Sequence, residues 1–258
     1  MRDRGLTEAI RAAGSVSELA RQLGISQPSV SSWSRVPSER VVAVESITGV
    51  SRAVLRPDLY GEAETPAGID EVDAARAHKY ALLAALLVRA PDAALLERLS
   101  TLRGDDSPFG RAYTELAEAA RNTTPEQVES EYFALFIGVG RGELLPYASY
   151  YLTGFLFERP LARLRADLAE IGIERAEEIV EPEDHAAILC EIMAALISGQ
   201  LEAPSGSEQQ IFDKHLKPWI GRFFADLEAA KAAQFYKPVG TLGRLFVEIE
   251  TEALAFPG

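Results

Sequence analysis

The 258-residue chain holds one cysteine, two methionines, two tryptophans and three histidines. A lone Cys190 excludes an internal disulfide and fits a reducing compartment. No apolar run approaches the ~20 residues that a membrane span needs. The start, Met1-Arg2-Asp3-Arg4-Gly5, lacks the apolar core of a signal peptide. A soluble, cytoplasmic protein is expected. Lysine is absent from residues 1–61, which carry eight Arg against six acids, a net +2. The rest carries 18 bases against 33 acids, a net −15. Such asymmetry implies two modules with different partners, and an acidic body repels nucleic acid while attracting cationic peptides.

What is present is helical. Hydrophobic content of 47% suffices to bury a core, and no stretch alternates with period two. The boundary falls at the small, polar Gly61-Glu62-Ala63-Glu64-Thr65-Pro66-Ala67-Gly68. The expected organisation is a head over 1–61, a linker over 62–71 and a body over 72–258, all-α, with nine or ten helices in the body. Ser15…Glu18 and Thr124-Pro125-Glu126-Gln127 read as capping boxes. Pro160 separates a helix over 147–157 from one over 161–171 that Gly172 closes. Pro238 introduces the last helix.

In the head, Leu19 to Trp33 fits a helix-turn-helix. Ala20 is small where two helices cross, Gly24 permits a left-handed turn, and Leu19, Leu23, Ile25, Val30 and Trp33 fall inward. Gln27, Ser29, Ser31, Ser32 and Arg35 then face outward, able to bond base edges or phosphates. With Pro37-Ser38-Glu39-Arg40 and Leu55-Arg56-Pro57-Asp58-Leu59-Tyr60, this segment resembles the Cro-like, YdaS-type antitoxin and DNA-binding domains. The resemblance implies a small helical domain that often binds DNA as a dimer.

In the body, Glu181-Pro182-Glu183-Asp184-His185 opens the almost wholly apolar stretch Ala186–Ile197. Proline and acids suit a first helical turn. A helix apolar all round is buried, so three acids and a histidine are expected where it reaches the surface. Two further constellations are Glu131-Tyr132-Phe133-Ala134-Leu135-Phe136 with Pro146-Tyr147-Ala148-Ser149, and Phe212-Asp213-Lys214-His215-Leu216-Lys217-Pro218-Trp219. In this order on an acidic helical chain, the three resemble the TorD/DmsD/NarJ-type redox enzyme maturation chaperones.

That resemblance spans about residues 72–255. It implies an all-α fold and binding of the twin-arginine leader on the catalytic subunit of a molybdoenzyme. The subunit would be held until its cofactor is loaded and export is permitted. Carried over by position, the leader groove draws on Tyr132, Leu135, Phe136, Pro146, Tyr147, Ser149, Asp184 and His185. An acidic lip would steer the arginines and an apolar trough would take the leader's middle. Asp184 is the expected arginine contact and His185 a neutral or pH-sensitive partner. Leu135 and Phe136 are adjacent, so one is core and the other groove. His215 and Glu191 read as structural.

Catalysis is not expected. Cys190 lies in an apolar helix, the three histidines sit on separate segments without metal-ligand spacing, and Ser149 lacks a Gly-x-Ser-x-Gly setting. Ile137-Gly138-Val139-Gly140-Arg141-Gly142 lacks the Gly-Lys-Ser/Thr ending of a phosphate loop. No metal or cofactor is expected, and this stretch gives no support to nucleotide binding. The rival reading is a DNA-binding regulator whose helical body senses a client protein or effector.

Overall fold

A computed structural model describes residues 3–48, 50, 52–56, 59, 71–173 and 181–255. The chain divides into two compact units, Met1–Gly68 and Ile69–Gly258. The expected linker lies outside the described residues, apart from Glu71. Among the described residues both units are helical, and Tyr147↔His185 is an isolated antiparallel bridge.

In the first unit α1 spans Arg4–Ala13, α2 Val16–Gln22, α3 Gln27–Ser31, α4 Val41–Thr48 and α5 Arg52–Leu55. The Asp3 carboxylate accepts the Leu6 amide at 2.8 Å, satisfying an otherwise orphan donor of α1. Ser15 caps α2 by accepting the Glu18 amide at 3.1 Å. The return half of that capping box does not form, because the Glu18 carboxylate is taken by Arg21 and Gln22. Gly24 turns the chain between α2 and α3 at φ 66°. Leu6, Ala9, Leu19, Ala20, Val30, Val41 and Val44 form the core, with Leu23, Ile25 and Trp33 packed at its edge. A continuous helix over 38–48 is not seen, since Ser38–Arg40 is a 3₁₀ turn leading into α4.

The second unit contains α6 (Glu71–Val88), α7 (Ala93–Ser100), α8 (Pro108–Arg121), α9 (Pro125–Tyr132), α10 (Ala148–Thr153), α11 (Arg159–Glu170), α12 (Ala186–Ile197), α13 (Ser207–Ile211), α14 (Ile220–Ala229) and α15 (Tyr236–Ala253). Helix α12 is the axis. Eight of its twelve residues are buried, and α6 lies along it. Glu191 interrupts that apolar sequence but is exposed, so it needs no buried partner. Helices α14 and α15 pack closely because Gly240 and Gly243 remove side chains from the contact. A Cβ at Gly240 would stand 2.4 Å from the Glu228 backbone nitrogen. One at Gly243 would stand 2.3 Å from the Phe224 ring.

Helices α9 and α13 each run into a π-helical turn, Phe133–Ile137 and Phe212–Leu216. Both turns close with an i→i−5 bond, Gly138 N–H to Phe133 C=O at 2.7 Å and Lys217 N–H to Phe212 C=O at 2.9 Å. The expected helix over 147–157 stops early. Gly154 terminates α10 in the left-handed region at φ 85°.

Polar groups join distant helices. The Glu131 carboxylate accepts the backbone amides of Gln234, Phe235 and Tyr236 at 2.8, 3.0 and 2.8 Å, capping the start of α15 from α9. Arg76 on α6 forks onto buried Glu250 of α15 at 2.7 and 2.9 Å and also bonds Asp73 and Glu208.

Candidate functional site

The segments carrying Pro146–Ser149 and Glu181–His185 are stitched together by their backbones. Ala148 N–H donates to Asp184 C=O at 3.0 Å, and Ala186 N–H donates to Pro146 C=O at 2.8 Å. The Tyr147 and His185 rings meet edge to face with centroids 5.0 Å apart, and the Tyr147 hydroxyl donates to Glu181 at 2.6 Å.

Helix α12 begins at Ala186, so Pro182 precedes it rather than occupying its first turn. Its N-cap is His185, whose Nδ1 accepts the Ala187 amide at 3.1 Å. That bond fixes Nδ1 as the unprotonated nitrogen. Burial pushes the imidazole down to about 4 against the opposing pull of Glu181 and Asp184, so His185 is neutral at physiological pH.

The acids do not form a common surface lip. Glu181 is exposed, while Glu183 and Asp184 are buried. Glu183 accepts two hydrogen bonds from Arg165, at 2.8 and 2.9 Å. Asp184 is 1% exposed, and its Oδ2 accepts the Ser149 amide at 2.8 Å. Among the described residues its Oδ1 and the Ser149 hydroxyl, also buried, find no hydrogen-bond partner. Two such atoms in one place are uncommon in a folded interior. Asp184 borders a cleft of about 400 Å³ walled by Ala148, Leu152, Pro160 and Leu164, with Arg163 and Lys214 also lining it.

On the cleft's far wall Asp167 is already engaged. His215 Nε2 lies 2.6 Å from it and Lys214 donates at 3.3 Å. Burial works against its charge, yet the bonds from His215 and Lys214 hold the Asp167 carboxyl below its ordinary value. Burial lowers His215, so the pair is a neutral imidazole donating to a carboxylate. His215 also accepts the Trp219 indole N–H through its carbonyl at 2.7 Å.

The other expected groove residues stand apart from this cleft. Leu135 is fully buried core. Tyr132 and Phe136, half-buried, meet at 5.0 Å and both face Tyr236. Tyr132 is anchored by donating to the Leu87 carbonyl at 3.1 Å, and burial together with Glu181 pushes its hydroxyl up to about 12. Neither α11 nor the second π turn was expected to wall a groove, since the motif Phe212–Trp219 was recognised but its His215 read as structural. Only the partnering of Asp167 with His215 across 48 positions brings them in.

In the head Gln27, Ser29, Ser31, Ser32 and Arg35 are all exposed, on and just after α3. Their hydroxyls are used locally. Gln27 bonds Ser31 at 2.9 Å, Ser26 bonds Ser29 at 2.7 Å, and Ser32 bonds the Ser29 carbonyl at 2.7 Å.

Comparison with known proteins bears on both units. Residues 102–225 match the family model "Nitrate reductase delta subunit". The chaperone protein TorD of Vibrio atlanticus is 26% identical over 167 residues, covering 59% of this chain and 78% of that protein. The body is TorD-like. The TorD of Vibrio cholerae serotype O1 agrees, at 27% identity over 164 residues, 58% of this chain and 74% of its own. A solved structure assigned to redox enzyme maturation, from Archaeoglobus fulgidus, aligns with a TM-score of 0.49 at 21% identity, over 67% of this chain and 93% of that one. Residues 6–64 match the family model "Bacterial toxin YdaS".

Among the described residues no group of three or more metal-ligating side chains is assembled, and no helix is long and apolar enough to cross a membrane. Cys190 is buried, with its thiol pushed up to about 12 by burial.

Proposed function

We propose that the TorD-like body is a non-catalytic maturation chaperone. It binds the twin-arginine leader on the catalytic subunit of a molybdoenzyme in the cytoplasm and holds that subunit until its cofactor is inserted. The observation that carries this reading is the unpartnered Asp184 Oδ1 beside the unpartnered Ser149 Oγ, bordering a cleft with Leu152 and Leu164 in its walls. A carboxylate oxygen without a donor is costly to bury, and an incoming guanidinium supplies donors in a planar fork. The apolar walls suit the leader's uncharged middle. Tyr147 and His185 position the loop that presents Asp184, while Pro146 contributes the backbone bond that holds it. Leu135 belongs to the core, with Tyr132 and Phe136 packed against it, so these three are given no leader contact in this reading.

Calorimetric titration of the full chain with a synthetic twin-arginine leader, and with a twin-lysine version, tests the reading. The arginine leader binds and Asp184→Asn weakens it at least ~tenfold, the scale of a lost charge-assisted contact. Absence of binding, or indifference to Asp184→Asn, overturns it.

We infer a DNA-reading role for the head from the five exposed polar side chains around α3 and the match over 6–64. A +2 unit gains little from phosphate neutralisation, which favours pairing of two heads on one site. Retardation of the chain's own promoter fragment, abolished by Arg35→Glu with Gln27→Ala, is the expected outcome.

A further inference from the structure

The cleft beside Asp184 is lined by two cations of its own, Arg163 and Lys214, and by two carboxylates, Asp167 and Asp184. Asp167 is committed on both oxygens. Lys214 donates to each at 3.3 Å, and His215 Nε2 lies 2.6 Å from Oδ2. The acids of the neighbouring loop are committed too. Glu181 accepts the Tyr147 hydroxyl at 2.6 Å, and Glu183 accepts two bonds from Arg165 at 2.8 and 2.9 Å. His185, between this loop and α12, is neutral and adds no cation.

Asp184 differs from all of these. Its Oδ2 accepts the Ser149 amide at 2.8 Å, while its Oδ1 has no hydrogen-bond partner among the described residues. The Ser149 hydroxyl is a second such atom, on the residue that this same bond ties to Asp184. Both residues are 1% exposed. A neutral donor would satisfy the bare oxygen but leave a buried charge uncompensated, which a cation would not. The cleft offers one oxygen of this kind. A second guanidinium would reach Asp167 only by displacing Lys214, and would stand near Arg163, where like charges repel.

We propose that the cleft reads a single guanidinium, on Asp184 Oδ1 and Ser149 Oγ, so that the two arginines of a twin-arginine leader are recognised unequally. This rests on the leader reading above and adds to it how many arginines are bound and which atoms select them. Adjacent side chains of an extended segment point to opposite sides, so seating one arginine turns its neighbour outward. The outward arginine stays in solvent, beyond Arg163 and Lys214. The Ser149 hydroxyl favours arginine over lysine at the seated position. A planar fork can serve two acceptors at once, and a guanidinium is more weakly hydrated than an ammonium.

Calorimetric titration of the full chain with variants of a synthetic twin-arginine leader provides the test. Glutamine in place of one arginine weakens binding at least ~tenfold, and glutamine in place of the other weakens it less than ~threefold. At the sensitive position the preference for arginine over lysine is at least ~tenfold with the parent chain and less than ~threefold with Ser149→Ala. That variant keeps the backbone bond to Asp184 and loses only the hydroxyl. The glutamine comparison needs no altered protein, so it decides the matter whether or not the variant folds. Failure of the unaltered leader to bind, or indifference of its binding to Asp184→Asn, overturns the leader reading and this inference together. Comparable effects at both arginines, or an arginine preference unmoved by Ser149→Ala, overturn this inference alone.

Discussion

Asp184 gives one carboxylate oxygen to the Ser149 amide at 2.8 Å and, among the described residues, leaves the other without a partner. The first bond is architectural, since it secures the start of α10 against the loop before α12. The second oxygen is what a ligand can use. Asp184→Asn retains an oxygen acceptor for Ser149 and removes the charge. The expected outcome is a folded chain with unchanged circular dichroism and at least ~tenfold weaker leader binding. Asp184→Ala instead costs about 2 kcal/mol of stability as well, read from urea denaturation, because the Ser149 amide loses its acceptor.

Glu131 belongs to the first motif yet does its work on another helix. It takes three amides at the start of α15, where the helix dipole also favours a negative charge. Glu131→Ala is expected to destabilise the second unit by roughly 2–4 kcal/mol without reducing leader affinity in the folded fraction. Glu131→Gln recovers part of the loss. Denaturation midpoints and calorimetry on the same samples separate the two effects.

Arg76 and Glu250 form a pair with side chains 14% and 1% exposed. Removing the cation alone strands a buried carboxylate. Arg76→Met is expected to cost about 3–5 kcal/mol, and Arg76→Met with Glu250→Leu to recover most of it. A double-mutant cycle in guanidinium measures the coupling.

His185 makes stability depend on pH. Its folded value of about 4 lies below the ordinary 6.5, so the unfolded chain binds the proton more readily. Above 6.5 neither state is protonated and nothing is lost. As pH falls from 6.5 towards 4, the folded state loses on the order of 3 kcal/mol. His185→Asn keeps a capping oxygen for the Ala187 amide and cannot titrate. Its stability profile over this window is expected to be flatter than that of the parent chain, measured as urea midpoints at each pH.

Gly240 sets the distance between α14 and α15. A methyl group there meets the Glu228 backbone rather than a movable side chain. Gly240→Ala is therefore expected to destabilise by about 1–3 kcal/mol despite alanine's better helix propensity, visible as a lower melting temperature.

Local signals were readable in the sequence where their causes are local. The turn at Gly24, the Thr124–Gln127 capping box and the closing Gly172 all depend on residues within one helical turn. The buried character of α12 followed from its composition. The start of that helix was misplaced towards Pro182 because His185, not an acid, supplies the cap, and the backbone pairing with Tyr147 straightens the residues before it. For the same reason Asp184 sits at a cleft floor rather than on a surface lip. The roles of Glu131, Arg76 and Asp167 depend on partners 105, 174 and 48 positions away, which no spacing rule reveals.

The turns at Phe133–Ile137 and Phe212–Leu216 each hold one residue more than an ordinary helical turn. A surplus residue is a removable one. Chains of this kind that are shorter by a single position at either place can run straight through as unbroken α-helix, with the residues beyond the gap facing much as they do here, because the wide turn absorbs its extra residue locally. The trailing loops, rather than the helices, would set which direction their ligands approach from.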